Sequence, residues 1–189
     1  RLLTLALLLT LSLPAAAAVW QLDGERSSLY FLSIKNNEVA ETNHFDRLTG
    51  RYDRGEAQLA IDLSSVETGI DIRDKRMREH LFEVGSHPSA AVTLSVSEQR
   101  VADLEPGEQA LLDATATLEL HGTTQDLDAP LTVTRLADGS LQVSNARPVV
   151  VNAGAFGLAQ GVEKLREIAG LPSISPAVPV QFALYFVEE

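Results

Sequence analysis

Apolar and polar residues alternate with a period of two along most of the chain, which is typical of strands with one buried and one exposed face. The clearest runs cover residues 57–64, 92–97, 112–120 and 180–186. Nine or ten such segments with short connections predict an all-β, antiparallel barrel or sandwich. Turn-forming sequences lie between them, among them Asp53-Arg54-Gly55, Glu105-Pro106-Gly107, His121-Gly122 and Asp138-Gly139.

Two segments depart from this alternation and predict one or two short helices. Residues 70–84 carry Ile70, Met77 and Leu81 at helical spacing, and residues 162–169 place apolar side chains on one helical face. A helix that interrupts a barrel can cover its opening. We therefore expect a ligand entrance beside these helices.

The first eighteen residues form an apolar run that begins with Arg1 and ends in Pro14 and a series of alanines. The run is short for a membrane span, which needs about 20 apolar residues, and it ends in the small residues that signal peptidases accept. We predict a signal peptide at residues 1–18 and a single domain at residues 19–189; an uncleaved membrane anchor is the alternative. An exported protein without cysteine forms no disulfides, which favours a bacterial periplasm over a eukaryotic secretory route.

Composition narrows the classes of function. The chain has 26 acidic and 15 basic residues and a net charge of −11, which argues against a nucleic-acid-binding surface. The absence of cysteine excludes disulfides, zinc-thiolate sites and a cysteine nucleophile. No G-x-S-x-G, P-loop or G-x-G-x-x-G sequence is present, so we predict that the protein is not an enzyme.

The four histidines carry no spacing typical of a metal site. His44, His80, His87 and His121 are scattered, with neither H-x-H nor HExxH among them. We predict no metal and no cofactor, although distant residues can still assemble a metal site through space.

Four cations fall within six residues of this otherwise acidic chain: Arg73, Lys75, Arg76 and Arg78. They can capture an anionic group at the mouth of a barrel, or they can form a solvated helix face balanced by neighbouring acids. We expect Arg73 and Asp74 to form an ion pair that ties this helix to the barrel.

Several segments, in this order, resemble the YceI-like family of bacterial lipocalin-like, polyisoprenoid-binding proteins. The resemblance extends over residues 19–189, and Arg73-Asp74 followed by Leu81-Phe82 and His87-Pro88 is its most specific part. The other matching segments are Trp20–Asp23, Ser27–Ile34, His44–Phe45, Leu48–Gly50, Ile61–Thr68, Leu118–Thr124 and Phe156–Gly157.

The resemblance implies an eight-stranded antiparallel barrel around an apolar tunnel that holds an isoprenoid quinone or a polyprenyl phosphate. The chain differs from common family patterns at Ser27-Ser28, Lys75-Arg76-Met77 and His87-Pro88, which bears on the head group more than on the fold. Arg73, Arg76 and Arg78 are the candidate head-group residues. The candidate residues that line the tunnel are Phe31, Phe45, Met77, Leu81, Leu94, Leu118, Val133 and Phe182.

Three hypotheses follow. The first is a periplasmic carrier whose partner is an isoprenoid lipid, and the second is an enzyme that acts on such a lipid. The third is a structural or stress-related module whose barrel is filled by its own side chains. Apolar residues on outward strand faces leave a homodimer open.

Overall fold

The computed structural model describes residues 18–189. The predicted signal peptide, apart from Ala18, lies outside these residues. Within them, no helix is both long enough and apolar enough to cross a membrane.

The described residues form fourteen β-strands and three α-helices. In chain order they are β1 (Trp20–Leu22), β2 (Ser28–Lys35), β3 (Val39–Phe45), β4 (Leu48–Asp53), β5 (Glu56–Asp62), β6 (Val66–Glu67), α1 (Asp71–Arg76), β7 (Ser89–Ser95), α2 (Glu98–Ala102), β8 (Gln109–Leu112), β9 (Thr115–Leu120), β10 (Thr123–Asp128), β11 (Leu131–Arg135), β12 (Leu141–Asn145), β13 (Val149–Asn152), α3 (Ala159–Ala169) and β14 (Ala177–Glu188). A π-helical turn (Met77–Leu81) continues α1, and 3-10 turns lie at Leu63–Ser65 and Ala153–Phe156.

All fourteen strands belong to one sheet, and every pair of neighbours is antiparallel. The twelve-residue β14 lies at its centre, because it pairs in turn with β13, β2, β12 and β1. The predicted all-β, antiparallel class is confirmed. The strands are more numerous and shorter than the eight that we predicted.

One predicted strand is interrupted. The alternation over residues 112–120 continues without a break in the sequence, but β8 ends at Leu112 and β9 begins at Thr115. β8 pairs with β11 and β9 pairs with β10, so the interruption faces Ala129 and Pro130. The N–H of Ala129 still donates to the carbonyl oxygen of Ala114 at 2.9 Å, so the same register continues across the interruption.

Two of the predicted turns are tight hairpins with left-handed backbone at both central residues. Arg54 and Gly55 join β4 to β5 with φ of 47° and 82°, and His121 and Gly122 join β9 to β10 with φ of 52° and 72°. Positive φ at both positions matches the twist of the strands that flank such a turn. These two hairpin predictions are confirmed.

The helices differ in detail from the prediction. Residues 70–84 do form a helical segment, but its second half is π-helical, and α3 begins three residues before the predicted 162–169. The short α2 was not predicted, because five residues are too few to show helical periodicity. Ser97 caps it by accepting a hydrogen bond from the backbone N–H of Arg100 at 3.4 Å.

Candidate ligand-binding cavity

The sheet and helices enclose a hydrocarbon-lined cavity of about 250 Å³. Thirty-three of its thirty-five lining residues have wholly hydrocarbon side chains, and the exceptions are Tyr52 and Gln58. The lining follows from the strand alternation: on β9, Ala116, Leu118 and Leu120 are buried, whereas the residues between them face outward. An apolar ligand therefore fits this cavity, and a polar one would lose its hydrogen bonds there.

Small side chains keep the cavity open. Ala57, Ala90, Ala116, Ala129 and Ala153 all line it, each at a position where a larger residue would fill space. Side chains ordinarily pack protein interiors nearly without voids. A cavity left by five alanines among large hydrophobic residues therefore has the form of a binding site.

Helical segments lie at both ends of the strands. Val101 of α2 lines the cavity near the β4–β5 hairpin, whereas Leu81, Leu158 and Val162 line it at the other end. There α3 packs directly on the π-helical turn. The two backbones are so close that a Cβ added at Gly161 would lie 2.6 Å from the carbonyl oxygen of His80. These two packed segments cover one end of the cavity.

Tyr52 is the one ionisable side chain of the lining. Its hydroxyl donates to the carbonyl oxygen of Val96 at 3.4 Å. Burial, and secondarily the negative charge of Glu98, raises the pKa of the Tyr52 phenol above its usual value. The phenol is therefore neutral at physiological pH and leaves the cavity without a charge.

The structure brings seven of the eight predicted lining residues together around the cavity. Met77 is the exception: it is buried in the hydrophobic core but is not part of the lining. The prediction missed Val101, because it lies on the unpredicted α2, and Leu158, which precedes the predicted helix. The seven residues that do line the cavity are Phe31, Phe45, Leu81, Leu94, Leu118, Val133 and Phe182.

Arg73 ties α1 to the sheet, but not through the predicted partner. Its guanidinium forms an ion pair with Glu41 of β3 and donates to the hydroxyl of Thr68 at 2.8 Å and to the Thr68 carbonyl at 2.6 Å. Asp74 is buried and accepts a hydrogen bond from the Thr68 hydroxyl instead. The predicted Arg73–Asp74 ion pair is thus wrong, since Thr68 lies between the two side chains. Held in this way, Arg73 is a structural residue.

The other two candidate head-group residues are less engaged. Arg78 donates to the carbonyl oxygen of Ser64 at 3.5 Å, the limit of a hydrogen bond. Arg76 is half-buried, and its side chain has no hydrogen bond or ion pair with another residue of the 18–189 segment. Neither side chain lines the cavity.

Glu41 makes the attachment of α1 sensitive to acid. The hydrogen bond from Lys35, helped by the positive charge of Arg73 and opposed by burial, lowers the pKa of Glu41 below its usual 4.5. A lowered pKa in the folded state stabilises the fold above the unfolded pKa, and that stabilisation is lost as the pH falls through the folded pKa.

We expect Glu41→Gln to be less stable than wild type at neutral pH and to lose less stability on acidification. Melting temperatures from about pH 6 to about pH 3 test this. Glu38→Gln, an exposed neighbour, is the control, and parallel curves for Glu41→Gln and wild type would contradict the prediction.

Away from the cavity, the structure assembles a group that the histidine spacing did not indicate. One ligand atom each from Glu83, His87 and His121 lies within 4.8 Å of the other two. Glu83 and His87 lie four residues apart in the loop between the π-helical turn and β7, and the fold brings His121 of the β9–β10 turn to them. Among the described residues, this is the one such group of histidines and carboxylates.

The chain belongs to the YceI-like family. The sequence profile of the YceI-like domain matches residues 20–186, which is nearly all of the described chain. The predicted resemblance is therefore confirmed. A comparison with curated proteins found no match.

Three solved structures are similar to this fold. A polyisoprenoid-binding domain from Saccharophagus degradans, implicated in plant cell wall breakdown, is 43% identical over 93% of this chain and all of its own, with a TM-score of 0.88. BcnA of Burkholderia cenocepacia is 19% identical over 87% of this chain and 98% of its own, with a TM-score of 0.67. The YceI protein of Campylobacter jejuni is 16% identical over 82% and 90%, with a TM-score of 0.54. At such low identity the last two support the fold alone.

Proposed function

We propose that this protein is a periplasmic carrier, without catalytic activity, that holds one isoprenoid lipid in its cavity. The observation that carries the proposal is the cavity lining, in which only Tyr52 and Gln58 have polar side-chain atoms. The similarity to the Saccharophagus degradans polyisoprenoid-binding domain supports an isoprenoid as the lipid.

The energetics of such a cavity favour the tail of the ligand over its head. Each buried CH₂-sized group contributes about 0.8 kcal/mol, so an isoprenoid chain gains its affinity from burial alone. A hydrocarbon lining offers few hydrogen bonds with which to select a polar group. The carrier therefore accepts an isoprenoid quinone or a polyprenyl phosphate, provided that the head group reaches solvent.

The carrier works as a closed barrel of eight long, bent strands. Consecutive strands with short interruptions combine into these eight: β1 with β2, β3 with β4, β5 with β6, β8 with β9, β10 with β11, and β12 with β13, alongside β7 and β14. The pairing of β14 with β12 and β13 on one side and with β1 and β2 on the other supports this arrangement. Such closure removes exposed sheet edges, and eight strands enclose one slender ligand.

A pair of titrations on delipidated protein tests the proposal. An isoprenoid quinone should bind, whereas the same quinone ring without its tail should not, because the tail supplies the buried surface. Equal affinity for both compounds would contradict a tail-binding cavity. Conversion of the bound quinone into a product would favour the alternative of an enzyme.

Where the ligand carries an anionic head group, we expect Arg76 and Arg78 to bind it. Both are weakly engaged, and Leu81, on the same helical segment, lines the cavity. A charged hydrogen bond contributes about 1.5–3 kcal/mol, so Arg76→Gln, Arg78→Gln should weaken polyprenyl phosphate binding by about tenfold or more and leave quinone binding nearly unchanged. Titrations of both lipids measure this, with Lys75→Gln on the same helix as the control. Unchanged phosphate affinity would make the cluster a solvated face.

Export to the periplasm rests on the apolar run at residues 1–18. We expect N-terminal sequencing of the exported protein to begin within a residue or two of Val19, since signal peptidases cleave after small residues. Recovery of the protein from the inner membrane with residues 1–18 intact would contradict this localisation.

A further inference from the structure

We propose that Glu83, His87 and His121 form a binding site for a divalent transition metal ion such as Zn²⁺. Glu83 lies just after the π-helical turn, His87 lies in the loop before β7, and His121 lies in the β9–β10 turn. The site is outside the lipid cavity, beside the segment that covers one of its ends.

The distances suit a metal ion. The Nε2 atom of His121 and the Oε2 atom of Glu83 are 3.5 Å apart. Two ligands that hold Zn²⁺ at 2.0–2.1 Å in a tetrahedron are about 3.3 Å apart, so this pair needs almost no adjustment. All three ligand atoms lie within 4.8 Å of one another, and side-chain rotation can bring the third into range.

His121 has a buried nitrogen that nothing in the described chain satisfies. Its Nε2 atom is inaccessible to water and has no hydrogen-bond partner, although Glu83 lies nearby. A buried polar atom without a partner destabilises the fold. A metal ion bound to Nε2 would remove that penalty.

The backbone around the site leaves room for two imidazole rings. The rings of His87 and His121 have centroids 4.3 Å apart. A Cβ on Gly122 would lie 3.2 Å from His87, and one on Gly157 would lie 3.6 Å from the Nδ1 atom of His121; both glycines have φ of 72°. The turn requires a positive φ at position 121. Asparagine or glycine meets this requirement equally well, so the geometry of the turn does not account for a histidine there.

Two imidazoles and one carboxylate define the class of metal. Nitrogen and oxygen ligands of this kind bind Zn²⁺ and neighbouring transition metals, and three protein ligands leave a position for water. Because Glu83 and His87 lie in the loop that follows the helical cover of the cavity and His121 lies in the β9–β10 turn, a bound ion would cross-link that loop to the turn. Metal that binds only the folded chain also raises its melting temperature.

Zn²⁺ titration of the metal-free, full-length protein tests the site. We expect one ion per chain and a rise in melting temperature on adding Zn²⁺. His121→Asn keeps a residue that tolerates positive φ. Each of the single variants His121→Asn, Glu83→Gln and His87→Gln should weaken binding by at least roughly tenfold, since even the loss of a residue that only hydrogen-bonds to a metal ligand costs that much. The matched control is His44→Asn, because the Nε2 atom of His44 lies 3.0 Å from a carboxylate oxygen of Asp46 without a third ligand.

Two results would overturn the site: wild-type protein that binds no Zn²⁺, or three variants that bind it as wild type does. A His44→Asn protein that loses binding along with them would also overturn it. If His121→Asn does not fold without metal, Glu83→Gln and His87→Gln decide the question, because neither lies in the hairpin turn.

Discussion

A protein with Leu118→Trp is expected to fold and to lose its bound lipid. Leu118 is buried on the inward face of β9 and lines the cavity, so the indole fills space that the ligand needs. Each CH₂-sized group of the lipid that the indole displaces from the cavity costs about 0.8 kcal/mol. Displacing two such groups therefore lowers the affinity for the lipid roughly tenfold. Overpacking a filled core costs about 1–3 kcal/mol, and the cavity should keep the cost at the lower end.

Titration with an isoprenoid quinone, together with the melting temperature, measures both parts of this expectation. Thr115→Trp is the matched control, because it adds the same side chain to an exposed position of β9 without changing the charge. Unchanged quinone affinity in a well-folded Leu118→Trp protein would argue against a ligand at that point of the interior.

Gly161→Ala is expected to loosen the helical cover of the cavity. Alanine in place of glycine normally stabilises a helix by about 1 kcal/mol. Here the added Cβ would lie 2.6 Å from the His80 carbonyl oxygen and 2.8 Å from the Cα atom of Leu81. Both are backbone atoms, so α3 has to move away from the π-helical turn. The lipid should then dissociate at least several-fold faster, although the helix propensity of α3 rises.

Ala169→Gly separates the two effects, because it weakens α3 by at most about 1 kcal/mol at the exposed last residue of the helix. We expect this control to lower the melting temperature slightly and to leave lipid dissociation unchanged. Dissociation rates that match wild type in Gly161→Ala, measured by transfer of a quinone to acceptor vesicles, would show that the packing of α3 does not retain the ligand.

The strand alternation predicted the lining of the cavity because the same period of two sets which side chains face inward. Leu94, Leu118 and Phe182 were identified in this way, with no knowledge of how the strands pair. The interruption between β8 and β9 could not be predicted from the sequence, because the alternation of apolar and polar residues continues through Asp113 and Ala114 without a break.

The attachments between segments also escaped prediction. Glu41, which pairs with Arg73, is 32 residues away in the sequence, and no local spacing links the two. Met77 had the right spacing for a helix, but it packs in the hydrophobic core beside the cavity, and helical spacing alone does not distinguish these two positions. The group of Glu83, His87 and His121 depends in the same way on loops that meet only in the folded chain.

Native mass spectrometry of the protein purified from the bacterium that makes it is the most direct test of lipid carriage. We expect each wild-type chain to carry one additional mass equal to an isoprenoid quinone or a polyprenyl phosphate, and Leu118→Trp purified in parallel to lack it. A wild-type chain of bare polypeptide mass, with no isoprenoid in its solvent extract, would contradict the proposal that this cavity holds such a lipid.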